Sequence, residues 1–311
     1  MINPYLKDLK TTVFDIETMG LMPYKDMIIS ASFYDPAGGS CVSYFADSPA
    51  NEINLILDIL NKLSENDVVV TYNGDSFDLP FVLTRAKKYK LCDKLPLLYS
   101  CDMYRILKKY WPMAQTMKSL RQKAVEIALG LADDRTDEIP GSECISLYNQ
   151  YIAGINDKAK DLILLHNKDD VRQLGSIYTE ISSLPFDRIA FEQGFPVRAN
   201  ELILIKEIKL DRNYFYITAM KEPGGIPSSI YEDEYELEYD CFTGRIDIRV
   251  RLSRKDNTYY TDLTLLPVEP SDFKDLSGFH SDFIVLSDEN GVKYREANEL
   301  ALRLFNTQEL F

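Results

Sequence analysis

Between Thr11 and Tyr72 the chain lays out three β-rich segments, a helical segment and a buried strand, and few folds accommodate that order. Residues 11–16, 27–34 and 41–45 are rich in β-branched and aromatic side chains and are separated by Gly, Pro and Asp turns, so they read as consecutive strands. Their short connections imply an antiparallel meander. Residues 54–63 then show helical spacing, and the apolar run Asp67-Val-Val-Val-Thr-Tyr72, closed by Asn73-Gly74, reads as a buried strand reached through a crossover helix. Strands, then a helix, then a parallel strand predict a mixed α/β sheet.

Residues 78–182 read as mostly helical, with breaks near Trp111-Pro112, across 130–134 and at Ile139-Pro-Gly141, and with one long helix over about 157–181. Residues 199–311 differ in kind. Tyr235, Leu237 and Tyr239 alternate with acids, and after Thr243-Gly244 the residues Ile246, Ile248, Val250 and Leu252 alternate with Arg245, Asp247, Arg249 and Arg251, which predicts a hairpin with one buried face. Further strands are expected over 202–210, 214–220 and 283–286, and a terminal helix over about 296–305. The 311 residues exceed what one core usually holds. The expected division is an α/β domain over 1–184, a linker over 185–198 and a smaller β-rich domain over 199–311.

No apolar run approaches the roughly 20 residues needed to span a bilayer, and the first residues lack a signal-peptide core, so a cytoplasmic protein without membrane contact is expected. The five cysteines are scattered and include no Cys-x-x-Cys pair, which argues against a disulfide framework and a zinc site and for buried free thiols. The net charge of −14 is unpromising for a protein that handles polyanions. Its distribution is less so. Eleven Lys and Arg between Arg85 and Lys123 face only Asp93 and Asp102, a net +9 that leaves −23 on the rest. Tyr89, Tyr99, Tyr104, Tyr110 and Trp111 lie among them, as in single-strand stacking surfaces. Solvated helix faces with inward-packed rings explain the same pattern equally well.

Three motifs carry chemistry. Asp15 and Glu17 lie two apart on a predicted strand, so both carboxylates point to one face, where a divalent cation would satisfy them. Asp78 follows Asn73-Gly74 at a strand-to-helix turn, from which a carboxylate can reach back across the sheet. His166 and Asp170 lie one turn apart on the long helix. Each has an ordinary explanation: a solvated strand end, plain turn chemistry, a core histidine with its acidic partner. All three together, in this order and on these elements, favour an enzyme. Asp169 falls on a different helix face and is not chosen.

At these residues the sequence resembles the DEDD-type 3′-5′ exonucleases of the ribonuclease H-like fold, in the subgroup with histidine in the third motif. More narrowly it is similar to the YprB-like family, through Tyr72-Asn-Gly-x-x-Phe-Asp-x-Pro80, Leu129-Gly followed by Arg135, Ile139-Pro-Gly141, Leu147-Tyr and His166-Asn-x-x-Asp-Val171. The resemblance spans about residues 8–183. It implies a ribonuclease H-like mixed five-stranded sheet flanked by helices. It also implies two Mg²⁺ or Mn²⁺ ions on Asp15, Glu17, Asp78 and Asp170, with His166 as general base. Hard ions prefer such oxygen ligands, and two of them roughly 3.5 to 4 Å apart can hold the attacking and leaving oxygens of a phosphodiester. The expected partner is single-stranded RNA or DNA, cut to nucleoside 5′-monophosphates. Thr18, Asn73, Lys118 and Arg121 are expected substrate contacts, Lys118 and Arg121 on a helix before the third motif. A non-catalytic nucleic-acid-binding or scaffold protein on this fold, or a structure-specific endonuclease, is the alternative. In the C-terminal hairpin a tight turn near Thr243-Gly244 is expected to set Glu238 opposite Arg249 and Glu236 opposite Arg251, so that ion pairs rather than nucleic acid consume the arginines. His280 receives no role.

Overall fold

The computed structural model describes residues 3–131, 143–181 and 183–306, so the expected motif residues Arg135 and Ile139-Pro-Gly141 lie outside the described residues. The chain divides into two compact units, Met1–Leu184 and Pro185–Phe311. In the first, strands β1 (Thr11–Thr18), β2 (Ile28–Tyr34) and β3 (Cys41–Phe45) are followed by helix α1 (Glu52–Ser64), strand β4 (Val68–Thr71) and helix α2 (Asp78–Lys88). Strand β5 (Tyr99–Asp102) and helices α3 (Met103–Tyr110), α4 (Gln122–Leu129), α5 (Cys144–Ile152) and α6 (Ala159–Glu180) complete it. The sheet order is β3-β2-β1-β4-β5. β1 pairs antiparallel with β2 and parallel with β4, and β5 runs parallel to β4, so the expected mixed five-stranded sheet is present.

β5 lies where the sequence reads as helical. Four residues between two basic stretches are too few to show a period of two, and only pairing of Val68–Thr71 with Tyr99–Asp102 fixes them as a strand. The remaining elements follow their patterns. Val68, Val69 and Val70 are fully buried, as expected for a strand covered on both faces. Leu55, Ile56, Ile59, Leu60 and Leu63 of α1 join Phe14, Phe33, Val69, Phe81 and Val82 in one core cluster. Ile29 joins Cys144 and Leu147 of α5 with Ala159 and Ile163 of α6 in a second. Gly175 lets α6 approach closely: a Cβ there would lie 2.5 Å from the Tyr34 ring on β2 and 3.7 Å from Val13 on β1.

One buried ion pair ties α1 to α2. Arg85 and Glu52 are each 1% exposed, the Arg85 Nε donates to Glu52 Oε1 at 2.7 Å, and a second guanidinium nitrogen donates to Oε2. The same carboxylate accepts the Ile28 N–H at 2.9 Å and the Tyr89 hydroxyl, while Arg85 also donates to the Pro23 carbonyl at 3.2 Å. The network therefore fixes the chain that leaves the end of β1 and returns into β2.

The second unit contains helix α7 (Phe186–Gln193), strands β6 (Phe195–Arg198), β7 (Leu202–Leu210), β8 (Tyr214–Met220), β9 (Ser228–Tyr231), β10 (Tyr235–Asp240) and β11 (Arg245–Arg251). Strands β12 (Ser253–Lys255), β13 (Thr258–Asp262), β14 (Phe279–His280), β15 (Phe283–Asp288) and β16 (Gly291–Val292) precede helix α8 (Tyr294–Asn306). Two antiparallel sheets result, ordered β6-β7-β8-β11-β10-β9 and β12-β13-β15-β14, with β16 on β15. Residues 185–198, expected as a linker, instead hold α7 and β6. Pro196 disguises β6, but that strand lies at the sheet edge, where a proline is tolerated. The hairpin register also differs by two from the expected one. Glu236 faces Arg249, and Glu238 faces Asp247, because the loop spans residues 241–244 with Gly244 at φ +74° rather than a tight two-residue turn. Arg249 is paired with Glu236 and Arg245 with Asp247, so ion pairing does engage these arginines. Among the described residues no helix is long and apolar enough to cross a membrane.

Arg85→Met, which strands Glu52 in the core, is expected to destabilise the first unit by about 3–5 kcal/mol in denaturant titration. Adding Glu52→Gln should recover part of that loss; a double variant no more stable than the single one would show that the pair itself is not the determinant.

Candidate active site

Strand β1 extends past its parallel partner, since its ladder with β4 covers only Thr11–Val13, and Asp15, Ile16 and Glu17 follow on the overhang. In place of a strand, the Asp78 carboxylate accepts the Ile16 N–H at 3.2 Å. Asp78 is the first residue of α2, and a turn with Asn73 at φ +67° delivers it there. Gly74 is required in that turn because a Cβ would lie 2.4 Å from the Thr71 side chain. Asp102, at the end of β5, holds the turn by accepting the N–H groups of Asn73 at 2.9 Å and Asp75 at 3.2 Å while capping α3 through Arg105 N–H at 3.3 Å.

Helix α6 supplies the other side. His166 Nε2 lies 3.5 Å from Glu17 Oε1 and 3.5 Å from Asp170 Oδ2. Asn167 donates to Asp15 Oδ2 at 2.7 Å and accepts from the Ser30 hydroxyl at 3.3 Å. α4 is tied to the same helix, as Gln122 Nε2 donates to the Asp170 carbonyl at 2.9 Å. The five residues expected from the three motifs thus surround one cleft of about 600 Å³, lined also by Tyr72, Asn73, Phe77 and Arg121.

The site is electrostatically frustrated. Burial, together with the Asp78, Asp170 and Glu17 carboxylates, pushes the Asp15 pKa well above its ordinary value. Burial raises Glu17 from 4.5 to about 7, with Asp170 adding to the rise and His166 opposing it. Asp78 rises from 3.8 to about 7, again chiefly through burial, although N–H groups of Asp78 and Ile16 counteract it. Oxygens of Asp15, Glu17 and Asp170 lie within 4.8 Å of one another, a spacing that a divalent cation would satisfy. Asp78 is not part of that cluster and stands beside it.

The four expected substrate contacts do not all line the cleft. Asn73 and Arg121 line the cleft, whereas Thr18 and Lys118 are not among the lining residues. The Thr18 hydroxyl donates to the Gly20 carbonyl at 2.7 Å and closes the turn after β1. Helix α4 begins at Gln122, so Lys118 lies in the bend before it and Arg121 at its N-cap, not on a helix as expected. Of the basic segment, Arg85 is buried and Arg105 pairs with Asp75, while Tyr99, Tyr110 and Trp111 pack inward. Lys87, Lys88, Lys108 and Lys109 remain exposed, and Tyr104 packs against Tyr72 at the cleft with ring centroids 5.9 Å apart. Sequence reasoning missed two residues. Asn167 sits inside the third motif, where its adjacency to His166 was the available signal; Cys144 lies within hydrogen-bonding range of Glu17 and has no local motif at all.

A family model described as the RNase_H superfamily matches residues 12–182. The DNA polymerase of Methanocaldococcus jannaschii is 40% identical over 91 residues, covering 26% of this chain and 6% of that protein. The DNA polymerase of Pyrococcus glycovorans is 36% identical over 102 residues, 29% of this chain and 13% of that protein. The uncharacterized protein YprB of Bacillus subtilis is 31% identical over 137 residues, 43% of this chain and 32% of that protein. The matched stretches therefore cover less than a third of each of these relatives. A solved family B DNA polymerase from Pyrobaculum calidifontis aligns with a TM-score of 0.44 at 19% identity, covering 58% of this chain and 27% of that one.

Glu17 and Asp78 hold protons near pH 7 in the folded protein, whereas the same groups in the unfolded chain ionise near 4.5 and 3.8. Their contribution to stability is therefore complete below the unfolded values and is lost as pH rises through about 7. In chelator, Asp15→Asn, which removes one of the repelling charges, is expected to raise the melting temperature by roughly 2 °C or more at pH 8 and by less at pH 5. A wild-type-minus-variant difference that is flat with pH would refute mutual repulsion at this site.

Proposed function

The chain belongs to the RNase H superfamily, a nuclease-type fold whose family model covers more than half of it, and on that premise we propose that it is a two-metal-dependent 3′-5′ exonuclease acting on single-stranded nucleic acid. The observation that carries this reading is the convergence of Asp15, Glu17, Asp78, His166 and Asp170, from three distant stretches of chain, on one open cleft. The crowded carboxylates fit divalent cations, since added positive charge offsets both the burial and the mutual repulsion that raise their pKa values. Asp15, Glu17 and Asp170 would hold them, with Asp78 completing the set. Bound there, such ions supply Lewis-acid stabilisation of the phosphate and lower the pKa of water.

The chain's own residues do the rest. His166 faces the carboxylate cluster and accepts the proton of the attacking water. Asn167 keeps the Asp15 carboxylate oriented, and Asp78 keeps β1 in register against α2. Water adds to the terminal phosphorus, the bond to the preceding 3′-oxygen breaks, and that oxygen leaves with a proton, releasing a nucleoside 5′-monophosphate. Arg121 and Asn73 stand at the cleft wall where the phosphate and sugar of the terminal nucleotide would lie. The exposed Lys87, Lys88, Lys108 and Lys109 supply positive charge that an incoming strand requires. Two of the relatives are, by name, polymerases of DNA, and the name of YprB states no substrate, so the test carries both nucleic acids.

The deciding experiment is degradation of 5′-labelled single-stranded RNA and DNA with Mn²⁺, alongside a 3′-phosphate-blocked substrate and a circular one. A ladder shortening from the 3′ end, absent in Asp15→Ala and Asp170→Ala, is expected; cleavage of the circle would instead indicate an endonuclease, and full activity in either variant would remove the carboxylates from catalysis. His166→Ala is expected to slow turnover by about 10²–10⁴-fold at neutral pH, and an unaltered pH–rate profile would exclude His166 as the base.

A further inference from the structure

We propose that Glu17, Cys144 and His166 form a second, soft-metal site beside the carboxylate cluster, taking Zn²⁺, and that its occupation withdraws Glu17 and His166 from hydrolysis. The site itself stands on geometry alone; its inhibitory effect rests on the exonuclease reading. The Cys144 sulfur, a Glu17 oxygen and a His166 nitrogen all lie within 4.8 Å of one another. The edge from His166 Nε2 to Glu17 Oε1 is 3.5 Å. That is close to the ligand–ligand separation of a tetrahedron whose centre lies roughly 2.0–2.2 Å from each nitrogen and oxygen. The cluster supplies three ligands, and water would take the fourth position.

The donor set separates this site from its neighbour. Mg²⁺ and Mn²⁺ prefer oxygen, and nothing in their chemistry favours a cysteine sulfur, whereas a thiolate with an imidazole and one carboxylate suits Zn²⁺. The three ligands come from β1, α5 and α6, so the folded domain preforms the site. Cys144 is fully buried and opens α5, where the helix N-terminus favours the thiolate that metal binding creates. Binding releases the thiol proton to solvent as the sulfur–metal bond forms.

Co²⁺ titrated into the metal-free, full-length protein tests the site optically, because only thiolate ligation gives a near-ultraviolet sulfur-to-cobalt charge-transfer band. The expected result is a band that saturates at about one equivalent, is bleached by Zn²⁺, disappears in Cys144→Ser and Cys144→Ala, and persists in Cys92→Ser, a control at an exposed thiol. His166→Asn, which keeps the thiol, should weaken Co²⁺ binding by at least the roughly 10–100-fold that even loss of an outer-shell partner costs. No band in the wild type overturns the proposal, as does a band that survives in both Cys144 variants or is unaffected by His166→Asn. This readout needs no turnover, so its failure is distinguishable from failure of the exonuclease reading. In the Mn²⁺-supported nuclease reaction, Zn²⁺ should inhibit the wild type at concentrations about tenfold or more below those needed for Cys144→Ser. Equal inhibition of the two would overturn the inhibitory role.

Discussion

The hydrogen bond from the Ile16 N–H to the Asp78 carboxylate is the contact on which the rest of the site depends. It occurs because β1 outruns β4 and leaves a backbone donor inside the protein without a strand to receive it. A carboxylate in that position satisfies the donor and at the same time brings a third acid beside Asp15 and Glu17. The turn that delivers Asp78 needs Asn73 in the left-handed region and a glycine at 74, and Asp102 from the end of β5 holds it through the N–H groups of Asn73 and Asp75. Strand β5, only four residues long, is thus structurally remote from the chemistry but determines where α2 begins.

Such an arrangement concentrates negative charge where water is scarce, and the protein tolerates it by several routes. Asp78 takes two backbone N–H groups, Asp15 takes the Asn167 amide, and the Glu17 carboxylate faces His166. None of these neutralises the cluster, and the raised pKa values of Asp15, Glu17 and Asp78 record the residual cost. A fold that retains this cost is consistent with a site completed by cations. The contrast with Glu52 is instructive: there a single buried carboxylate has Arg85, Tyr89 and a backbone N–H to itself, and the result is a structural clamp.

Close packing of α6 on the sheet sets the distances on the opposite wall. Gly175 brings the helix against Tyr34 and Val13 of the sheet, and its earlier turns then place Asn167 within 2.7 Å of Asp15 and His166 within 3.5 Å of Glu17. Cys144, at the start of α5 and packed against Ala159 and Ile163 of α6, also reaches Glu17. Hard oxygen ligands and one soft sulfur ligand therefore share a wall, which permits two classes of ion to compete for Glu17.

Local spacing was enough to read the acids at 15 and 17, the histidine and acid at 166 and 170, the meander, the crossover helix and the C-terminal hairpin, because period-two and period-3.6 patterns are properties of contiguous residues. It could not find β5, whose four residues are a strand only by virtue of pairing with β4, nor the helix and edge strand within residues 185–198, where a proline hides a strand that needs a partner on one side alone. Hairpin register escaped by two residues because loop length, not the alternation, fixes it. The ring-rich basic segment read equally well as a stacking surface or as solvated helix faces with inward-packed rings, and burial of Tyr99, Tyr110 and Trp111 removed three of its rings from any such surface. The sequence by itself determined which residues could do chemistry and the faces they occupy. Tertiary structure alone decided that Asn167 and Cys144 join them, because Asp15, Glu17 and Ser30, which they meet on β1 and β2, lie more than a hundred residues away, and no local pattern encodes a contact across that separation.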